Sequence, residues 1–479
     1  MSDAVRLLYS QHRYPALSHA EAHPGTLCAA ARCGGVIDPA LPDDCDVLEI
    51  GCASGHHLLP LAARFPQSRF LGIDFSDTAI RQARKAAEAA GLGNIRFEHA
   101  DLIEWDPAGR DFDYILAHGM LSWTADPVKA ALLSLIGRCL REKGIACIGY
   151  NTLPGWSLRR EAAQMTKALG KLDTQGRGVD GILETLATAA AKNATPYAHH
   201  LAAIYQDMRR KGPEILAFDD LGPCCDPLHF SQVIDWAGRN RLRYIGESQL
   251  HQNLPPGLSP EALDALEPLT DDPILFQQTL DLLSGRTHRS SLFTTAGTNL
   301  DPITTTSVTL HFEARLLVTS LPAGAAHGEI LATFQAALAA AAPSTAAVTD
   351  LMEACAHRLG PRWDPAQAAK AIAAWLYQAA RLGWVELRAD PVKIPIFPAR
   401  PALSPLNLHF ARQGLGVVDA FHRTCHFPAG HQAVVAALDG SRSIDSIVTF
   451  AAGAAPDLDV RPWLAHLHSR GLLHDSAGN

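Results

Sequence analysis

Three acids and one glycine turn carry the first chemical signal. Residues 48–55 read LEIGCASG, with Glu49 before the turn and Gly51 and Gly55 bounding it. Asp74 closes the apolar run RFLGID, 23 residues after Gly51, and Asp101 lies in FEHADL (97–102). A dinucleotide fingerprint needs G-x-G-x-x-G, because its second glycine lets the backbone approach a pyrophosphate. Here the middle and third glycines are missing from their places. The turn therefore suits a ligand without a pyrophosphate, and an acid at the end of a second strand suits a ribose with free hydroxyls. Each acid taken singly reads equally well as a helix N-cap or a solvated loop end. Three of them at three successive strand ends, beside one glycine turn, form a pattern.

That pattern requires a scaffold that gathers strand ends. CDVLEI (45–50) is a short apolar run of the kind found in buried parallel strands. HHLLPLAARF (56–65) starts a helix, with Pro60 confined to its first turn, and RFLGID (69–74) is a second strand. SDTAIRQARKAAEAAG (76–91) is a helix with Ser76 as its N-cap and Gly91 as its stop. A third strand leads to Asp101, and FDYILAH (112–118) is a fourth. A helix over 129–141 then leads to a fifth strand ending at Tyr150-Asn151. This alternation predicts an α/β fold with a doubly wound parallel sheet. Ligands of such sheets bind outside the carboxyl ends of the strands. His118, Trp123, Tyr150 and Asn151 fall at that edge.

The spacing Glu49-x-Gly51-x-x-x-Gly55 resembles motif I of the class I S-adenosylmethionine-dependent methyltransferases. The resemblance implies a Rossmann-like seven-stranded domain and S-adenosyl-L-methionine as cofactor, with S-adenosyl-L-homocysteine as product. It implies that the backbone from Gly51 to Gly55 faces the methionine moiety, that Asp74 binds both ribose hydroxyls, and that Asp101 binds the adenine amino group. The full cofactor set it implies is Tyr9, Tyr14, Glu49, Gly51, Cys52, Ala53, Gly55, Asp74, Phe75, Asp101, Leu102 and His118.

Methyl transfer is an in-line displacement that holds a lone pair about 3 Å from the methyl carbon. A lysine acceptor, with an ordinary pKa of about 10.4, must first lose its proton. Aromatic walls disfavour the charged amine, and Trp123 and Tyr150 are candidates for them. Asn151 is a candidate acceptor for the remaining amine proton, and His118 a candidate general base. The bland reading makes Trp123 and Trp156 packing residues and His118 a strand-end cap.

A narrower resemblance rests on AHGMLSW (117–123) and YNTLPGW (150–156). These are similar to the bacterial protein-lysine methyltransferases first described for rickettsial outer-membrane protein, and to relatives carrying a methyltransferase regulatory domain. Tyr9, Tyr14, Pro15, His23, Pro24 and Leu27 fit that family's opening segment, and LRYIGES (242–248) and FQQTLDLLSGRTHRSSLF (276–293) continue it. LDGSRSIDSI (438–447) extends the resemblance weakly. The chain departs from the pattern at His56-His57, where glycine and asparagine are common, and at Leu121, where tyrosine is expected. Membership implies a protein or peptide substrate, with lysine the favoured side chain. The alternative is a peptide natural-product or small-molecule pathway, with N- or O-methylation of arginine or another acceptor. A non-catalytic scaffold has no physical need for a ribose-binding acid.

The domain organisation expected from these readings is as follows. Residues 1–40 form an N-terminal segment or lid, and 41–155 with 219–297 form the methyltransferase domain. Residues 156–218 are a helical insertion, with nine Lys/Arg against six Asp/Glu, read as a solvated surface, a lid or a homodimer face. Strands at 241–248 and 288–295 close the sheet as an antiparallel edge pair. Two α+β winged-helix-like modules follow, at 308–390 and 407–479. Their helix-glycine-strand grammar appears in 366–388 and again in 461–475, and IPIFPARPALSPL (394–406) is a stiff proline-rich linker between them. The helix 366–382 offers few base-reading side chains, so peptide docking or packing is favoured over DNA.

Composition sets the outer bounds. The chain has 479 residues, 47% hydrophobic and 19% charged, with net charge -8 and pI near 6.2. No basic stripe points to nucleic acid, and no apolar run is long enough to span a membrane. The ten cysteines are scattered; Cys28, Cys33 and Cys45 lack CxxC or histidine partners at metal-site spacing, so no metal is expected. The expectation is a reduced, cytoplasmic protein.

Overall fold

A computed structural model of the chain describes residues 14–475, apart from 174–175, 255–256, 302–306, 323 and 326–327. Its centre is a seven-stranded sheet ordered β3-β2-β1-β4-β5-β7-β6. The strands are β1 (Asp46–Ile50), β2 (Arg69–Asp74), β3 (Ile95–His99), β4 (Phe112–Ala117), β5 (Leu140–Asn151), β6 (Leu242–Glu247) and β7 (His288–Thr295). Val47 sits beside Phe70 of β2 on one side and Tyr114 of β4 on the other, and both pairings are parallel. β7 runs antiparallel between β5 and β6.

Val47, Leu48 and Ile50 are buried because helices cover both faces of the sheet. One face packs Leu58, Leu61, Ile80, Phe97 and Tyr114 into a core. The other packs Leu48, Ile50, Leu132, Ile136, Val233 and Phe293. The chain winds from β1 to β2 and β3, then returns to the far side of β1 with β4 and β5. The connections therefore diverge between β1 and β4, which makes a crevice at the carboxyl ends of these two strands.

The helix after β4 spans Asp126–Cys139, a turn earlier than 129–141. Pro127 suits its first turn, and the carbonyl run continues directly into β5 at Leu140. The insertion is three helices, Ser157–Lys171, Gly178–Ala191 and Pro196–Phe218. They share a small core of Leu183, Tyr205 and Met208. Arg159 is clamped between Asp220 and Asp207.

Residues 14–40 are not a detachable lid. The helix Pro24–Cys33 is buried over almost its whole length. It lies against the strand Val385–Arg388, so closely that a Cβ on Gly25 would stand 1.7 Å from Asp390 Oδ1. That strand belongs to a three-stranded sheet with Glu313–Leu316 and Ala346–Ala347. Helices Glu329–Ala340, Val348–Leu359 and Pro365–Arg381 cover it, with Phe334, Ile372 and Leu376 at its core.

The proline-rich stretch is linker only as far as residue 400. Pro401-Ala402 pairs antiparallel with His474-Asp475. Pro405 opens the helix Pro405–Arg412, whose N-cap Ser404 accepts from Asn407 N–H. The final helix Val460–Ser469 is followed by Gly471 at φ +69 and only a two-residue strand.

Candidate active site

The turn after β1 is held by its own backbone. Gly51 N–H and Cys52 N–H both donate to the Ile73 carbonyl, at 2.8 and 3.1 Å. Gly51 has φ +80, and a Cβ there would stand 2.6 Å from the Met120 sulfur, so glycine is required on two counts. Glu49, Gly51, Cys52, Ala53, Asp74, Phe75, Asp101, Leu102 and His118 all line one cavity in the crevice. Tyr14 and Trp123 line it too. Tyr9 lies outside the described residues.

Two of the cavity's acids differ in how they are satisfied. Asp74 accepts from Ala53 N–H at 2.9 Å and Ser76 N–H at 2.8 Å, one on each oxygen. Its burial raises its pKa. A carboxylate has about four lone-pair sites, so capacity remains for a ligand hydroxyl. Glu49 is 5% exposed, and its Oε2 is buried with no hydrogen-bond partner. No cation lies within ion-pair reach of it among the described residues. Burial, and secondarily the Asp74 charge, push its carboxyl up to about 8. A buried carboxylate without a partner is costly, and a cationic ligand group would relieve it. The methionine moiety of S-adenosylmethionine carries an ammonium and a sulfonium, so the residues present fit that group.

Gly55 does not face the cavity. It has φ +75, and a Cβ would collide with the Phe97 ring at 2.6 Å, so it serves turn closure and packing. Tyr150 is also displaced from its expected place. Its ring is 1% exposed in the sheet core, and its hydroxyl lies 3.0 Å from Ser291 Oγ. Strand alternation explains this: Gly149 turns toward His118, with its Cβ position 2.9 Å from His118 Nδ1, so Tyr150 turns to the opposite face. Asn151 is buried, its N–H donating to Ser122 Oγ, and it does not line the cavity. Leu121 is fully buried in the core, so an aromatic missing there takes nothing from the acceptor wall.

His118 ends β4 at the cavity edge. Its ring stacks on His19 with centroids 3.6 Å apart. Burial, with His19 adding to it, holds its pKa well below the ordinary value. Its Nδ1 is buried without a hydrogen-bond partner. Trp123 meets Trp156 edge to face at 5.7 Å. Tyr14 meets Phe218 in the same way at 5.3 Å, so the last residue of the insertion closes one side of the cavity.

The sequence reading missed His19, His56, His57, Met120, Phe218, Asp219 and Cys224, which also line the cavity. His56 and His57 were noted only as departures from a pattern, and the structure gives them a task. His56 packs on Phe410 at 4.2 Å. His57 Nδ1 accepts from His19 N–H at 3.1 Å and lies 2.9 Å from His422 Nε2. Arg64, on the same helix, reaches Asp390 at 2.7 Å and the Ala420 carbonyl at 3.3 Å. The helix that follows the glycine turn is thus the bed on which the C-terminal modules sit.

Comparison with known proteins agrees with this geometry. Residues 47–144 match the family described as a methyltransferase domain. Residues 212–295 match one described as a predicted methyltransferase regulatory domain; here they supply β6 and β7 of the same sheet. Two uncharacterized proteins of Rickettsia prowazekii are related. RP789 is 28% identical over 288 residues, which is 59% of this chain and 52% of that protein. RP028 is 26% identical over 50% of this chain and 97% of its own length. The chain thus spans about half the length of the first of these curated relatives. A trans-aconitate 2-methyltransferase of Azoarcus is 35% identical over 22% of this chain and 40% of its own. The solved structure of PKMT2 from Rickettsia typhi in complex with AdoHcy shares the fold, with TM-score 0.81 at 19% identity, over 96% of this chain and 99% of that one. The chain therefore carries a Rossmann-like methyltransferase domain whose sheet is completed by a predicted methyltransferase regulatory domain.

Proposed function

We propose that the protein transfers a methyl group from S-adenosylmethionine to a side-chain nitrogen of a protein or peptide, with lysine the favoured acceptor. The observation that carries the cofactor part is Glu49, whose buried Oε2 has no partner among the described residues and which lines the cavity together with Asp74 and Asp101. In this reading Glu49 meets the positive methionine end, Asp74 the ribose hydroxyls and Asp101 the adenine edge. Tyr14, Phe75 and Leu102 supply apolar contact. The cofactor, when bound, supplies a methyl group activated on a sulfonium.

The chain's own residues would then prepare the acceptor. His118 is the candidate to take a proton from the incoming amine, with Glu21 beside it to offset the cost that burial sets against its imidazolium. Trp123, braced by Trp156, offers an apolar wall that disfavours the ammonium form. Polypeptide as the substrate class is supported by the AHGMLSW and YNTLPGW resemblance. It is also supported by the C-terminal modules seated beside the cavity, which extend the surface available for remote binding energy.

The test is calorimetric titration of S-adenosylmethionine and S-adenosylhomocysteine into wild-type protein and Asp74→Ala, followed by a mass-spectrometric screen for methylated proteins and peptides. Wild-type binding, weakened in the variant, and a product gaining methyl on lysine would support the reading. No binding by cofactor-free wild type would sink it, and methylation confined to small molecules would overturn the substrate class.

A further inference from the structure

His19, Glu21 and His118 come from two distant places in the chain and meet at one point. His19 and Glu21 flank the start of the single turn Ala20–Ala22, and His118 ends β4. Glu21 Oε1 lies 3.6 Å from His19 Nδ1 and 3.7 Å from His118 Nε2. One ligand atom from each residue lies within 4.8 Å of the other two. A tetrahedral zinc ion, with bonds of about 2.0–2.2 Å to nitrogen and oxygen, spaces adjacent ligand atoms by roughly 3.4 Å. The two shorter edges of this triangle are within a few tenths of an ångström of that spacing, and since the two rings stack at 3.6 Å, one of them must rotate about its Cβ–Cγ bond to aim its lone pair at a shared ion. Two imidazoles and one carboxylate are also the donor set of zinc sites that keep a fourth position open.

We propose that these three residues form a binding site for a divalent transition-metal cation, zinc being the ion they fit best. The site is half-buried, with side-chain exposures of 21%, 26% and 18% for His19, Glu21 and His118, so an ion there would keep a fourth position open to solvent. The site lies in the partition between two cavities. His19 and His118 line the cofactor cavity, while Glu21 lines an adjoining one with Leu17, Ser248, Leu250 and Arg423. Zinc on His118 Nε2 ties the 19–21 turn to the end of β4. It also takes that nitrogen's lone pair, so under the general-base reading zinc slows methyl transfer. The site itself stands on its own geometry; only this consequence rests on that reading.

The experiment uses the full chain, stripped with a chelator and titrated calorimetrically with zinc and, separately, with cobalt(II). Wild type is expected to bind one equivalent, with the intense visible bands of tetrahedral cobalt. Glu21→Gln and His118→Ala should each weaken binding by at least about 100-fold, since loss of a mere outer-shell partner already costs about 10- to 100-fold. S-adenosylhomocysteine affinity in Glu21→Gln, which keeps the side-chain shape, should stay within about threefold and so report an intact fold. His19→Ala repeats the test at a third ligand. Absence of stoichiometric binding by wild type overturns the proposal. So does binding unchanged in both Glu21→Gln and His118→Ala, which would place the ion elsewhere, on cysteines for instance. Failure of metal binding leaves S-adenosylhomocysteine binding untouched, so the two readings fail separately.

Discussion

Two edges of the sheet bury acids, and they do so in opposite ways. At the β6–β7 edge, Arg289 is fully buried and bonded to both oxygens of Asp281, at 2.8 and 2.9 Å, and to Glu247. Glu247 also accepts from Tyr244 and Ser291, and Phe230 lies under the guanidinium at 4.1 Å. At the carboxyl edge, on β1, Glu49 is also buried yet has no cation beside it among the described residues. The first cluster pairs its acids with a cation, leaving only Glu247 Oε2 without a hydrogen bond, and is architecture. The second is incomplete within the protein, and incompleteness of that kind marks a ligand site. Burial of a charge is thus a weak pointer to function, whereas burial of a charge without its partner is a strong one.

The contrast can be broken most forcefully at Arg289. Arg289→Leu leaves Glu247 and Asp281 buried without their cation, and should cost about 3–5 kcal/mol in denaturant unfolding. A loss below about 1 kcal/mol would show that this cluster is not structural. At the other edge, Asp74→Ala should lower S-adenosylhomocysteine affinity by about tenfold to a hundredfold, roughly 1.4–2.7 kcal/mol, with little change in unfolding. Unchanged affinity would remove the ribose anchor.

Glu49→Gln should sharpen the comparison, because its two effects have opposite signs. Affinity for the cofactor falls by about tenfold, while the ligand-free protein becomes more stable at alkaline pH. The sign follows from the raised carboxyl. The folded form holds a proton that the unfolded chain loses near the ordinary value of about 4.3, so wild-type stability falls as pH rises from there through about 8. The glutamine variant lacks that slope. Parallel melting curves for the two proteins across that range would show that Glu49 is not strained.

The smallest expected effect lies at the C-terminal contact. Burial holds His57 and His422 well below the ordinary histidine value. The unfolded chain binds protons that these neutral rings refuse, so their contribution is present above about pH 6.5 and lost as pH falls below it. Mild acid should therefore raise proteolytic cleavage at residues 389–400 before the sheet core melts. Cleavage independent of pH down to about 5 would show that the contact does not depend on neutral histidines.

How legible all this was depends on the range of the determinant. The strands β1 and β2 were readable because each is a local apolar run that closes on a glycine or an acid. The turn was readable because Gly51 and Gly55 both take positive φ, a conformation that favours glycine, although Ala53 between them takes it too. The side of the sheet that Tyr150 faces was not, because it depends on the register between β5 and β7, where Tyr150 sits opposite Arg289. The proline-rich stretch misled for a related reason. Proline composition reads as linker, yet Pro401 found an edge strand and Pro405 a helix start, places where a missing N–H costs little.

By itself the sequence determined the strand order of chemistry along the chain: a glycine turn, an acid after it at each of two further strand ends, and a histidine and tryptophan beyond. Those follow from backbone sterics and apolar periodicity, which act over a few residues. Only the tertiary structure decided that Glu49 has no partner and Glu247 has one. It alone brought His57 to His422, 365 residues away, and His19 and Glu21 to His118. Hydrogen bonds and ion pairs are satisfied in space rather than along the chain, so no local pattern records which buried polar group is left for a ligand.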